Sequence, residues 1–325
     1  MTNLGGHDLE TILDAFHGVT SDRPTVFIAY TIKGRGLPFA AHKDNHAGLM
    51  TPDQMVAFRA QQGIKEGEEW EPFAGLDVPE AALRKALAEA PFNQGGTRRH
   101  TPPVVPVPAS FEVPAAATLS TQEGFGRLMA TIGRSHPELA DRIVTTAPDV
   151  ATSTNLGTWV NRRGVYDRKE RGDVVASAQV VSPQKWAVGP KGQHIELGIA
   201  ENNLFIMLAA LGLSGSLFNQ RLLPIGTVYD PFICRGLDAL NYACYQDARF
   251  IVVATPSGIT LAGEGGAHQS ISEPLIGLAQ DGLATFEPAF VDELNAILAW
   301  SLSYIQKDDH EASASEHNWL RDETG

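Results

Sequence analysis

Hydrophobic and polar positions along the second part of the chain alternate between short β-branched runs and longer helical stretches. Predicted strands are Arg142–Thr146, Leu222–Tyr229 and Phe250–Thr255. Predicted helices are Thr121–Gly133, Gly198–Leu213, Phe232–Gln246 and Val291–Ile305. Strands and helices that alternate at this spacing are typical of an α/β fold, a parallel sheet with helices on both faces.

Two of these helices have features that can be predicted in more detail. Ser120 precedes the first, and Glu123 follows three residues later, which is the spacing of a capping box. Gly198–Leu213 is apolar on nearly all sides, so we expect that helix to be buried.

The first ninety residues contain two further predicted elements. Thr25–Tyr30 is a short apolar run that leads into a glycine loop ending at Gly36, a pattern that predicts a buried strand. Pro79–Ala90 carries leucines at 83 and 87 and is predicted to be a helix.

A proline-rich stretch divides the chain. Repeated prolines between Pro91 and Pro114 remove backbone donors and fix φ, so we expect neither a helix nor a central strand there but an extended linker. The predicted organisation is a first domain at 1–90, a linker at 91–118 and a second domain at 119–325.

Composition narrows the class of protein. Of the 325 residues, 43% are hydrophobic and 19% charged, which excludes wholesale disorder. No apolar run reaches the roughly 18 residues of a membrane helix, and the start has no secretory signal pattern. The net charge of −13 disfavours nucleic acid as a partner. The only cysteines are Cys234 and Cys244, too few for a disulfide framework in a chain of this length, so we expect a reducing cytoplasmic location.

Candidate chemistry lies after the predicted strands, where ligands of parallel sheets bind. Glu201 is in the first turn of an otherwise apolar helix. It either complements the helix dipole or is a partly buried carboxyl of raised pKa that shares a proton with a ligand. Glu264 and His268 belong to a glycine loop. The loop is either simply solvated, or it brings the two residues close to a ligand as an acid/base pair.

Other candidates depend more on context. His42 and His46 have i, i+4 spacing, but the loop-forming residues between them favour a substrate-contacting loop over a zinc site. Asp149 follows a predicted strand and is locally a turn residue. Tyr229 and Phe232 are either core aromatics or a platform for an aromatic ring.

Several segments together resemble homodimeric pyruvate dehydrogenase E1 chains of the transketolase superfamily. Residues 29–36 read A-Y-T-I-K-G-R-G and resemble the A-H-T-I-K-G-x-G segment that closes the diphosphate-binding domain of those chains. Residues 199–202, I-A-E-N, resemble the I-A-E-Q/N stretch of the pyrimidine-binding domain. Residues 263–268 match the G-E-G-x-x-H element letter for letter.

The resemblance implies a thiamine diphosphate-dependent enzyme that decarboxylates a 2-oxoacid and passes the acyl group to lipoamide. By position, Glu201 would bond N1′ of the aminopyrimidine, Tyr229 and Phe232 would contact the cofactor, and Asp149 would match an acidic turn residue. His268 and Glu264 would manage protons, and His46 would assist acyl transfer. Implied partners are a second copy in a homodimer, the 2-oxoacid and the lipoyl domain of an E2 acyltransferase.

The sequence departs from the family in one respect that affects the metal. It contains no Gly-Asp-Gly motif, which carries the superfamily's Mg²⁺ and diphosphate ligands, so we expect no metal ligands in this chain. The sequence stops at Gly325, before the last strand expected of a pyrimidine-binding domain, so we also expect that domain to be incomplete at its C-terminus. The transketolase pattern H-x-V-H-G is also absent near His46. Transketolase, with Arg221 and Arg235 as phosphate ligands, and a truncated, inactive binding module remain the alternatives.

Overall fold

The protein consists of two compact units, residues 1–96 and 97–325. The computed structural model describes residues 5–94, 99–113, 116, 118–172 and 184–307. None of the helices in these described ranges is long and apolar enough to span a lipid bilayer.

The first unit contains short helices in its described part. They are α1 (Leu9–His17), α2 (Pro52–Gln61), α3 (Glu80–Glu89) and α4 (Pro91–Gln94). Helix α3 confirms the helix predicted at Pro79–Ala90. Helix α2 begins with a capping box in which the Thr51 hydroxyl accepts from Gln54 N–H and the Gln54 side chain accepts from Thr51 N–H.

The strand predicted at Thr25–Tyr30 is wrong. These residues form no strand, and Val26 and Ile28 are 85% and 81% exposed. An apolar run becomes a strand only where a second strand accepts its backbone hydrogen bonds. No described residue pairs with this run, so its β-branched composition alone did not produce a strand.

The described part of the second unit is built on a six-stranded parallel sheet. The sequence predicted a parallel sheet and three of its strands, at Arg142–Thr146, Leu222–Tyr229 and Phe250–Thr255. Its strands are β1 (Ile143–Ala147), β2 (Val165–Tyr166), β3 (Val188–Gly189), β4 (His194–Glu196), β5 (Leu223–Val228) and β6 (Ile251–Ala254). Their order is β3-β2-β4-β1-β5-β6. Strand β5 is buried along its whole length, the pattern expected of a parallel strand covered on both faces.

Helices pack against the sheet, and the buried apolar side chains form two separate hydrophobic clusters. The helices are α5 (Thr121–Ser135), α6 (Pro137–Ala140), α7 (Gly157–Arg163), α8 (Glu201–Gly212), α9 (Ser214–Phe218), α10 (Leu237–Tyr245), α11 (Glu273–Ala279) and α12 (Val291–Tyr304). One cluster includes Leu128, Trp159 and Leu302 of α5, α7 and α12. The other includes Phe205 of α8 and Leu240 of α10. The capping box predicted at Ser120 is present.

Two helix predictions need correction. Helix α8 is not buried all round: Leu204, Phe205 and Leu208 are buried, whereas Ile206 is 54% exposed. The helix therefore carries more apolar side chains than the described residues bury. The stretch predicted as one helix at Phe232–Gln246 begins instead as a 3₁₀ turn, Asp230–Gly236, with a proline in its first turn, and becomes α-helical at Leu237.

The proline-rich stretch is not a free spacer. Against expectation it begins with a helical turn, α4, whose first residue is Pro91, where the missing N–H costs nothing. Farther on, Phe111 is 4% exposed. Its backbone N–H donates to Asn295 Oδ1, and its carbonyl oxygen accepts from Asn295 Nδ2. Val105 is bonded in the same manner by Gln306. Residues 105–111 thus pack as part of the second unit.

Candidate active site

The carboxyl ends of strands β1, β4, β5 and β6 lie at one edge of the sheet. Because the strands are parallel and adjacent, the residues that follow them converge there. Asp149 follows β1, Glu201 follows β4, and Tyr229 follows β5 directly. The loop that carries Glu264 and His268 follows β6.

Glu201 is a buried carboxylate paired with Arg235. It is the first residue of helix α8 and is only 7% exposed. Arg235, in the 3₁₀ turn after β5, donates from Nη1 to Glu201 Oε1 at 2.6 Å. Gly236, which follows Arg235, has no room for a side chain: a Cβ there would lie 2.3 Å from the ring of Phe205 and 3.0 Å from the Glu201 carbonyl oxygen.

An aromatic cluster adjoins this ion pair. The Arg235 guanidinium carbon lies 3.9 Å from the centre of the Phe232 ring, a cation–π contact. Phe232 stacks on Tyr229 with ring centres 5.8 Å apart. The His268 ring stands edge-on to Phe232 at 5.2 Å and to Tyr229 at 6.2 Å. Arg235 therefore joins Glu201 to the predicted aromatic platform.

His268 is held between this cluster and Glu264. Its Nε2 lies 3.6 Å from Glu264 Oε2, while the Glu264 side chain is 53% exposed. The other ring nitrogen, Nδ1, is buried and has no hydrogen-bond partner within the described residues. A buried imidazole nitrogen without a partner carries a desolvation cost that a ligand could remove.

Asp230 holds the glycine loop in place, a role that no motif around it indicates. It is 6% exposed, and its Oδ2 accepts hydrogen bonds from Gly258 N–H at 3.1 Å and from the Ser270 hydroxyl. Both ends of the loop that carries Glu264 and His268 are thereby tied to the end of β5.

Glu196 organises the same edge from strand β4. Its Oε1 accepts from the backbone N–H groups of Asp149, Leu197 and Gly198 at 2.8, 3.0 and 3.1 Å. Burial opposes its ionisation, but the hydrogen bonds from His194 and these amides outweigh that cost and hold the pKa of Glu196 below its ordinary value. Asp149 has a left-handed backbone, φ 62°, which aspartate tolerates.

The remaining predicted site residue, His46, belongs to the first unit. It is exposed, and its Nδ1 lies 2.7 Å from Lys33 Nζ. His42 faces Asp44 instead, with 3.6 Å between Nδ1 and Oδ2. In the part of the chain that the structure describes, no three His, Cys, Asp or Glu side chains are grouped to hold a metal ion.

The cluster is chemically suited to a planar nitrogen heterocycle. It offers a buried carboxyl for a ring nitrogen, aromatic faces for stacking and an unpartnered imidazole nitrogen. The planar guanidinium of Arg235 satisfies the carboxyl and covers the Phe232 ring at the same time. A nitrogen-bearing aromatic ring would make the same two kinds of contact.

Comparisons with known proteins agree with this fold. The family described as "Transketolase, pyrimidine binding domain" matches residues 117–310. The pyruvate dehydrogenase E1 component of Corynebacterium glutamicum is 30% identical over 316 residues, which is 89% of this chain and 34% of that protein. Transketolase of Mus musculus is 24% identical, covering 84% of this chain and 35% of its own length.

Among solved structures, transketolase from Campylobacter jejuni superposes with a TM-score of 0.58 at 15% identity, covering 91% of this chain and 43% of that chain. At this identity the likeness concerns the fold alone. The chain spans about a third of the length of the curated relatives that it matches.

Proposed function

Because the chain belongs to the transketolase pyrimidine-binding domain family, whose enzymes depend on thiamine diphosphate, we propose that its second unit forms the aminopyrimidine half of the cofactor site in a pyruvate dehydrogenase E1 enzyme. The observation that carries the proposal is the buried Glu201 carboxylate, which Arg235 joins to the Phe232 ring. Thiamine diphosphate, when bound, supplies the electron sink that decarboxylation of a 2-oxoacid requires.

Each clustered residue has a task in this proposal. Glu201 bonds a ring nitrogen of the pyrimidine and exchanges a proton there. Phe232 and Tyr229 provide the aromatic surface that orients the ring. His268 directs its buried Nδ1 to substrate or cofactor, and Glu264 sets the orientation and charge of that imidazole through Nε2.

Further parts of the proposal rest on the relatives and on the sequence. Asp149 contributes to the cofactor site from the end of β1, and His46 assists transfer of the acetyl group to lipoamide. The diphosphate and Mg²⁺ are held by a segment other than this sequence, which contains no Gly-Asp-Gly motif. The working assembly is a cytoplasmic homodimer that receives the lipoyl domain of an E2 acyltransferase.

Relatives named pyruvate dehydrogenase E1 component are 24–30% identical over 89–94% of this chain, whereas transketolase of Mus musculus is 24% identical over 84%, which favours a 2-oxoacid dehydrogenase. Arg221, one of the two cations that a sugar phosphate would need, donates to the carbonyls of Pro102 and Pro103 and to that of Gln306. Those residues lie at the amino edge of the sheet. Arg235, the other cation, is paired with Glu201.

The test is pyruvate-dependent dye reduction by the complete enzyme that contains this chain, with and without thiamine diphosphate and Mg²⁺. Turnover that requires both supports the proposal. Turnover of a ketose phosphate but not of pyruvate would assign the enzyme to transketolase instead. Absence of turnover on either substrate, with no cofactor binding, would identify an inactive module.

A further inference from the structure

A polar cavity lies at the opposite edge of the sheet from the candidate active site. It has a volume of about 90 Å³. Its walls include the end of helix α8 at Gly212 and Leu213, the residue before β5, Leu222, and Arg249 just before β6. Helix α8 begins at Glu201, and twelve residues of helix span about 18 Å, so the two sites are well separated.

The cavity is strongly cationic although the chain is acidic. Among the described residues, four of the 25 basic side chains line it, together with His100, and Asp247 is the one carboxylate. The basic residues are Arg99, Arg221, Arg249 and Lys307. In a chain of net charge −13, such a local excess of positive charge attracts anions to one place.

The walls of the cavity are fixed by contacts of their own. Arg221 donates to the carbonyl oxygens of Pro102 at 2.6 Å and of Gln306 at 3.0 Å. His100 N–H donates to the Ser216 carbonyl at 2.8 Å. Lys307 Nζ lies 5.8 Å from the centre of the Tyr304 ring. Arg99 is exposed and forms no ion pair with any described residue.

We propose that this cavity binds a phosphate or phosphomonoester group at a site separate from the candidate active site. Its volume admits one such group and excludes a whole nucleotide from the interior. Arginine and lysine side chains are the usual partners of phosphate oxygens, which accept charge-assisted hydrogen bonds. Polar groups of Ser216 and Gln246 complete the lining.

The experiment is calorimetric titration of the 325-residue chain with inorganic phosphate at constant ionic strength, with chloride as the reference salt. We expect saturable binding at one site with a dissociation constant of about 1 mM or lower. Glycerol 2-phosphate, which carries the same dianionic group on an ester, should compete with phosphate. A heat signal that rises without saturation, or equals that of chloride, would refute the proposal.

Charge variants locate the binding. Arg99→Gln and Arg249→Gln should each weaken phosphate about tenfold. Lys191→Gln removes the same charge from an exposed turn between β3 and β4 and should change affinity less than about twofold. Equal weakening by Lys191→Gln would point to diffuse attraction and contradict a built site. If Arg249→Gln does not fold, the exposed Arg99→Gln still decides the question.

Asp247→Asn provides a test in the opposite direction. Asp247 has a left-handed backbone, φ 56°, which asparagine also adopts, so the loop is retained. Removal of this carboxylate from the lining should tighten phosphate binding about threefold. Unchanged affinity in this variant would contradict binding in this cavity. Neither this result nor the others bears on the thiamine site.

Discussion

Arg235 donates a hydrogen bond of 2.6 Å to Glu201 and at the same time lies 3.9 Å from the centre of the Phe232 ring. One side chain thus connects the carboxyl and the aromatic platform. The sequence assigned the two to a single site, and the parallel sheet brings them to the same edge.

Glu201→Ala should reduce pyruvate turnover of the complete enzyme at least about 100-fold, since a positioned acid/base group contributes on that scale. The measurement is cofactor-dependent dye reduction at saturating thiamine diphosphate. Glu138→Ala, an exposed glutamate on helix α6, serves as the control and should retain activity. Near wild-type turnover in Glu201→Ala would remove Glu201 from its proposed role.

Arg235→Gln should lower the free energy of unfolding of the chain by about 1 kcal/mol, because Glu201 is buried and loses its partner whereas Arg235 is half exposed. Urea denaturation of Arg235→Gln, Glu201→Gln and the double variant measures the coupling between them. Strict additivity would show that the 2.6 Å contact contributes nothing.

Glu264→Gln should impair turnover and leave folding intact. Glu264 is 53% exposed and lies in a loop that Asp230 anchors independently, so its loss opens no gap in the core. Steady-state kinetics and a thermal melt together make the measurement. A variant that unfolds or precipitates would assign Glu264 a structural role instead.

Glu196 should contribute stability that depends on pH. Its folded-state pKa is lowered, so this contribution is present above its ordinary pKa of about 4.3 and is lost as pH falls through the lower folded value. Urea denaturation of wild type and Glu196→Gln should therefore differ at pH 7, and the difference should shrink below about pH 4. A difference that is constant across this range would contradict the assignment.

Gly236→Ala should destabilise the second unit by about 1–3 kcal/mol, the usual cost of overpacking, because its Cβ would overlap the Phe205 ring. Gly263→Ala is the matched control: nothing lies within 4 Å of a Cβ there. Thermal or urea denaturation compares the two. Equal stabilities would show that helix α8 moves away at little cost.

The fold of the second unit was predictable because buried parallel strands and their covering helices leave a strong pattern. The run at Thr25–Tyr30 shows the limit of that pattern, since composition reveals a strand-forming tendency but not whether a partner strand exists. The 3₁₀ turn at Asp230–Gly236 depends on Pro231 and on packing against Phe205, which periodicity does not describe.

Within the candidate site, motifs identified Glu201, Glu264 and His268, and the structure brings His268 beside Tyr229 and Phe232. The roles of Asp230 and Glu196 were not predictable. Each accepts a hydrogen bond from a backbone N–H distant in sequence, 28 residues away for Asp230 and Gly258 and 47 residues away for Glu196 and Asp149, and such partners leave no local signal.

The pairing of Val105 with Gln306 and of Phe111 with Asn295 has a consequence for how the second unit folds. These contacts join residues 201 and 184 positions apart, so they form only after a long loop has closed. High contact order of this kind slows folding. His100 and Lys307, which line the cationic cavity, come from the same two ends of the unit. An anion bound there would stabilise, by mass action, the folded state in which these two ends are together. The fraction of fully folded protein would then rise with the concentration of the anion.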